Sequence, residues 1–301
     1  MTKKITPLAL ALVTLLTGCS MIPTYERPAA PVPTGFPNVT ASESPATLPS
    51  WRTYFAEPRL QQLIELALNN NRDLRIASLN VEQARAQFQV RRAAQYPAVG
   101  LAANASRAPA SGTGNITNNF SVGLAVTAWE LDFFGRVASL KEQALAQYLA
   151  TEEGRNAAQV SLISSVANGW LNLLADAELL ELSRRTLATR EESVRLTKLR
   201  LDSGAASELD YRQAESLAQA ARATLAQQQR QRALDENALA LLLGQPLPED
   251  IRATLGRSDL NAAPVIQAVP AGLPSDLLVQ RPDTRQAEQQ LIAANANIGA
   301  A

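Results

Sequence analysis

Leu60, Leu63, Ile64, Ala67 and Leu68 recur at helical spacing, and the pattern continues through Leu74, Val81, Ala84 and Phe88. This predicts one helix over 57–95, closed at Tyr96-Pro97 because a residue before proline is pushed out of helical geometry. The period then switches to two. Pro97, Val99, Leu101, Ala103 and Ala105 alternate with small or polar residues, and after a Gly/Ser/Asn-rich loop Phe120, Val122, Leu124, Val126 and Ala128 do the same. From Arg136 to Asp202 there is no proline and only Gly154 and Gly169, so a single helix of about 100 Å is predicted at about 1.5 Å per residue. Val166, Trp170, Leu173, Ala177, Leu180, Arg184, Leu187, Glu191, Val194, Lys198 and Leu201 step by four and three, as a coiled-coil seam does. A partner seam is expected along Leu217, Ala220, Thr224, Gln227, Gln231, Leu234, Ala238 and Leu241. Between the two helices, Gly204 suits a left-handed helix end, Ser207 can cap the next helix, and Asp210 favours its positive start. A tight helical hairpin follows.

Each alternating run has about ten residues, the length that a tilted strand needs to cross a bilayer. One face is apolar and the other small or polar, as expected between lipid and a lumen. Tyr96, Trp129, Phe133 and Phe134 gather at the ends nearest the helices, where aromatic side chains mark a membrane interface. Alternation alone also fits a hairpin of a soluble sheet, and two strands cannot close a barrel.

The N-terminus adds a destination. Lys3 and Lys4 precede an apolar stretch from Ile5 to Leu16, which reads as a secretory signal over residues 1–18 and is too short to span a membrane. The stretch ends Leu16-Thr17-Gly18-Cys19, a pattern similar to a bacterial lipobox, so Cys19 is the expected lipidation site. Ser20 is not the aspartate that would favour retention at the inner membrane. Pro28, Pro31, Pro33 and Pro37 keep the following segment extended, either as a strap against the folded body or as a disordered linker.

Composition removes several chemistries. The 301 residues contain no histidine, which excludes histidine-based acid–base catalysis, triads and imidazole metal ligands. Lysine plus arginine (28) balances aspartate plus glutamate (28), leaving no net basic field for nucleic acid. Gly112 and Gly114 start a dinucleotide-like fingerprint that fails at Thr117. No catalytic residue, metal ligand or cofactor is predicted.

Six segments together resemble the TolC/OprM family of outer-membrane factors. They are Leu16 to Cys19; Ala128-Trp129-Glu130-Leu131-Asp132-Phe133-Phe134-Gly135-Arg136; Gly204 with Ser207, Leu209 and Asp210; Leu241 to Gly244; Gly272 to Leu278; and Arg281-Pro282-Asp283. The resemblance implies a mainly α fold with a membrane β-hairpin: a long α-helical hairpin tunnel plus part of a trimeric β-barrel. It implies a homotrimer in outer-membrane lipid, working with a periplasmic adaptor (membrane fusion protein) and an inner-membrane pump of the resistance-nodulation-division class. The tip bearing Gly204, Ser207, Leu209 and Asp210 would meet the adaptor, and Asp210 would join the polar contacts that close the periplasmic entrance. A passive efflux duct is the leading function. A type I secretion duct and a periplasmic adaptor lipoprotein are the alternatives.

The expected layout is a signal peptide (1–18), anchor and strap (19–56), first helix (57–95), transmembrane hairpin (96–131), long helical hairpin (132–243), equatorial connector (244–272) and the start of a second repeat (273–301). The repeat shows as a constant offset: Leu63, Leu68, Asp73, Arg75, Ala77, Ala84 and Ala86 recur at Leu273, Leu278, Asp283, Arg285, Ala287, Ala294 and Ala296. On the family pattern the sequence stops inside the second repeat, so an incomplete protomer is expected.

Overall fold

The computed structural model describes residues 21–29, 50–109, 115–126, 129–255 and 275–301. Cys19, the signal segment, Pro31, Pro33, Pro37, the Gly112–Gly114 fragment and residues 256–272 of the connector lie outside the described residues. The elements in order are α1 (Trp51–Tyr54), α2 (Pro58–Asn70), α3 (Arg72–Ala93), β1 (Val99–Pro109), β2 (Ile116–Val126), α4 (Arg136–Asp202), α5 (Glu208–Leu243), α6 (Glu249–Arg252), a 3-10 segment (Ser275–Gln280) and α7 (Pro282–Ile298). The chain divides into two compact units. One comprises Met1–Pro33, Ala77–Arg155 and Leu278–Ala301, the other Thr34–Ile76 and Asn156–Leu277.

The second unit holds the main core. Leu60, Leu63, Ile64 and Ala67 of α2 meet Val166, Trp170 and Leu173 of α4 and Leu239 and Leu243 of α5. Leu247, Ile251 and Leu255 close this core from the connector. Trp170 is completely buried, its Nε1–H donating to Glu57 Oε2 at 2.9 Å, and Arg59 lies 5.6 Å from its ring while pairing with Glu57. An indole N–H taken from water needs such an acceptor.

The expected helix over 57–95 is in fact two helices. Asn71 has extended backbone (φ −62°, ψ 128°), its Oδ1 accepts from Leu74 N–H at 2.9 Å, and its Nδ2 donates to the Leu242 carbonyl at 2.9 Å. Asparagine offers the backbone this alternative to helical bonding, and the tertiary bond to α5 secures it. Here α3 starts at Arg72 and α7 at Pro282, the same spacing as the sequence offset.

The first seam is buried from Val166 through Trp170, Leu173 and Ala177 to Leu180, and half-buried at Leu187, Val194 and Leu201. The partner seam lies one residue away from its expected frame. The inward positions of α5 are Tyr211, Ala214, Ala218, Ala221, Leu225, Gln228, Arg232, Asp235 and Leu239. Leu217, Leu234 and Leu241 face outward, Leu241 with 80% of its surface exposed while Leu239 has none. A single-residue shift turns a helix by about 100°. Both frames carry apolar and polar residues in heptad steps; in the one used Leu239 enters the core and lies against Gly169.

In the first unit α7 runs antiparallel to the start of α4. Arg285 pairs with Glu153 at 2.8 Å, and Gly299 lies against Ser139. Ala146, Ala150, Ala293 and Ala296 are buried in this unit, small enough for close helix approach. The stretch 21–29 is extended and held at three points: Arg27 forms a double contact with Glu288, Tyr25 reaches the same carboxylate, and Asn295 Nδ2 donates to the Pro23 carbonyl at 2.7 Å.

Candidate membrane face and helical tip

The two strands pair antiparallel with Val99 opposite Val126, Leu101 opposite Leu124, Ala103 opposite Val122 and Ala105 opposite Phe120. This register puts the apolar residues of both strands on one face, because side chains alternate with a period of two. Gly100–Ala125, Ala102–Gly123, Asn104–Ser121 and Ser106–Asn119 make the other face. The apolar face is open: Leu101, Phe120, Val122 and Leu124 are each about three-quarters exposed. So long an exposed apolar strip would associate or precipitate in water. Each strand has eleven residues. At about 3.3 Å per residue and a tilt of about 45° it would rise about 26 Å, matching the apolar band of membrane barrels.

Tyr96, Phe133 and Phe134 are strongly exposed and Trp129 is partly exposed, all near the helical ends of the hairpin. Asp132 Oδ2 accepts from Ala138 N–H at 2.8 Å and caps α4, while Glu130 pairs with Arg136 at 2.5 Å, fixing the segment that presents these rings. Among the described residues no helix is long and apolar enough to cross a membrane.

The tip is built from local rules. Gly204 has φ +76°, its N–H reaches the Leu201 carbonyl at 2.9 Å, and Ala205 N–H reaches the Arg200 carbonyl at 2.7 Å. These two bonds are a Schellman C-terminus. Ser207 then starts α5 with a capping box: its Oγ accepts from Asp210 N–H at 3.2 Å, while Asp210 Oδ2 accepts from Ser207 N–H at 3.0 Å and from Ser207 Oγ–H at 2.7 Å. These bonds to Ser207 hold the Asp210 carboxyl below its ordinary range. Leu209, next to the cap, is two-thirds exposed. Thus Gly204, Ser207, Leu209 and Asp210 share one rigid turn, with Asp210 already engaged by its own helix.

Two features escaped the sequence reading. Asp176 of α4 and Asp235 of α5 meet, and the hydrogen bond between them, with burial and mutual repulsion, pushes the Asp176 carboxyl up to about 6. Nothing in linear order links residues so far apart. Arg107 is the second. It is the only charged residue between Arg92 and Glu130, a signal that was available in the sequence.

The family model for outer membrane efflux protein matches residues 63–245. The chain belongs to the outer membrane efflux protein family. It is 45% identical over 313 residues to the toluene efflux pump outer membrane protein TtgC of Pseudomonas putida, with 100% of this chain and 64% of the relative covered. It is 40% identical over 301 residues to outer membrane protein OprJ of Pseudomonas aeruginosa, covering 97% of this chain and 62% of that protein. The open-state MtrE outer membrane channel of Neisseria gonorrhoeae superposes with a TM-score of 0.79 at 40% identity, over 94% of this chain and 63% of the channel. The chain therefore spans a little under two-thirds of the length of the relatives it matches. Its fold is that of the TolC-like channels, helical with a small antiparallel hairpin, and its compartment is the outer membrane.

Proposed function

We propose that this chain contributes to the outer-membrane duct of a tripartite efflux system, a passive conduit for drugs or small solutes. The observation that carries the reading is the register of the hairpin, which joins two apolar half-faces into one exposed, membrane-length face. The duct is a homotrimer, closed as a barrel because open strand edges cannot be satisfied in lipid. Cys19 is acylated and anchors it. A periplasmic adaptor docks on the turn of Gly204, Ser207, Leu209 and Asp210, and an inner-membrane pump of the resistance-nodulation-division class drives transport. The chain itself performs no chemistry. The efflux names of relatives such as TtgC favour solute efflux over protein secretion.

The tip supplies the test. A photo-crosslinker in place of Leu209 should capture a periplasmic adaptor in cells. Gly204→Val, which a positive φ resists, should weaken capture while outer-membrane fractionation stays unchanged. Normal capture by Gly204→Val would show that docking does not use this turn.

A further inference from the structure

We propose that Arg107 and Asn118 form a contact for the phosphate of an anionic lipid headgroup at the rim of the apolar face. The inference rests on the membrane reading of that face and adds its lipid partner.

The register sets Arg107 opposite Asn118, the first pair beyond Ala105–Phe120 and on the same face as the apolar pairs. Arg107 and Asn118 are both exposed. An arginine on a lipid-facing strand position is costly at the bilayer midplane and tolerated near the interface. Its place in the band decides which applies. Arg107 lies eight residues beyond Val99, so it stands about 26 Å along the strand and, at a tilt of about 40°, about 20 Å along the membrane normal. With Tyr96 and Trp129 at the opposite end, the cation reaches the far interface of a band about 25 Å tall.

The segment supplies no counter-charge. From Ala93 to Trp129 there is no aspartate or glutamate, and Arg107 is the sole cation. A guanidinium presents a fork of N–H donors suited to phosphate oxygens, and the Asn118 amide adds two more donors across the pair. On the midplane side of this pair Ala105 and Phe120 continue the face, apolar surface for the start of the acyl chains. Charge, donor geometry and depth together select a phosphate headgroup.

The experiment is flotation of the full-length chain with phosphatidylcholine vesicles and with the same vesicles doped with phosphatidylglycerol. Any acyl anchor is common to all variants, so the ratio of uptake between the two vesicle types isolates the headgroup term. One basic residue at an anionic surface is worth about 1 kcal/mol, roughly a fivefold ratio. Arg107→Gln should lower the preference for anionic vesicles by about that factor, Arg107→Lys should restore most of it, and Arg200→Gln at the helical tip should leave it unchanged. An undiminished preference in Arg107→Gln would overturn the contact and leave the membrane face standing. Leu124→Ser tests that face separately and should reduce uptake by both vesicle types alike. If uptake is unchanged, the apolar face does not enter lipid and the headgroup contact fails with it.

Discussion

Gly204 and Gly244 have nearly the same backbone, φ +76° and +71°, yet replacing each by alanine should have very different consequences. A left-handed conformation costs an L residue about 1–2 kcal/mol at either site. At Gly204 an added Cβ would meet nothing within 4 Å. At Gly244 it would lie 2.4 Å from the Asn70 carbonyl oxygen and 2.9 Å from its carbon, both backbone atoms that cannot rotate away. Relief requires the end of α2 to retreat from the end of α5. That movement strains the Asn71–Leu242 bond beside it and loosens the core around Leu243. Overpacking costs about 1–3 kcal/mol and a weakened hydrogen bond about 0.5–1.5 kcal/mol. Gly204→Ala should therefore lose about 1–2 kcal/mol and Gly244→Ala about 2.5–6.5 kcal/mol. Urea unfolding in mild detergent, followed by tryptophan fluorescence with helical dichroism as a second probe, measures both. Equal losses would show that backbone strain alone governs the two sites, and the argument from the Asn70 carbonyl would be refuted.

Three other expectations are independent of that pair. Because the Asp176 carboxyl is pushed up to about 6, the native hairpin holds a proton that the unfolded chain releases near pH 4. That stabilisation is complete below about pH 4 and gone above about pH 6. Relative to Asp176→Asn, the wild type should lose about 1 kcal/mol across that window, a value discounted for the water reaching this half-buried pair; parallel pH-dependence in the two proteins would contradict it. Trp170→Phe strips the N–H from Glu57 and leaves part of the indole volume empty in the core, and should cost at least about 1–3 kcal/mol in urea unfolding. Combined with Glu57→Gln it should cost less than the sum of the two single changes, whereas simple additivity would deny the coupling. Cys19→Ala should abolish acylation and leave the precursor uncleaved, which mass spectrometry of the N-terminus reads directly.

The sequence by itself determined whatever depends on neighbours along the chain. The period-two runs fixed which strand residues share a face, because the pleat alternates whatever the strand packs against. The Gly204–Asp210 turn was legible for the same reason: a left-handed glycine and a serine cap obey rules spanning a few residues. The absence of proline between Arg136 and Asp202 foretold a helix that forms over all 67 residues. Tertiary structure decided the rest. Two adjacent heptad frames on α5 satisfy the same stepping rule, and the packing of Leu239 and Leu243 into the core with α2 and α4 leaves Leu241 outside. Asn71 could have continued a helix until the Leu242 carbonyl offered its side chain a partner. Asp176 and Asp235 are ordinary carboxylates in linear order, and the folding back of α5 on α4 brings them together and pushes the Asp176 carboxyl up. In each case a local preference was nearly balanced, and the free energy that tipped it came from a residue far away in the chain.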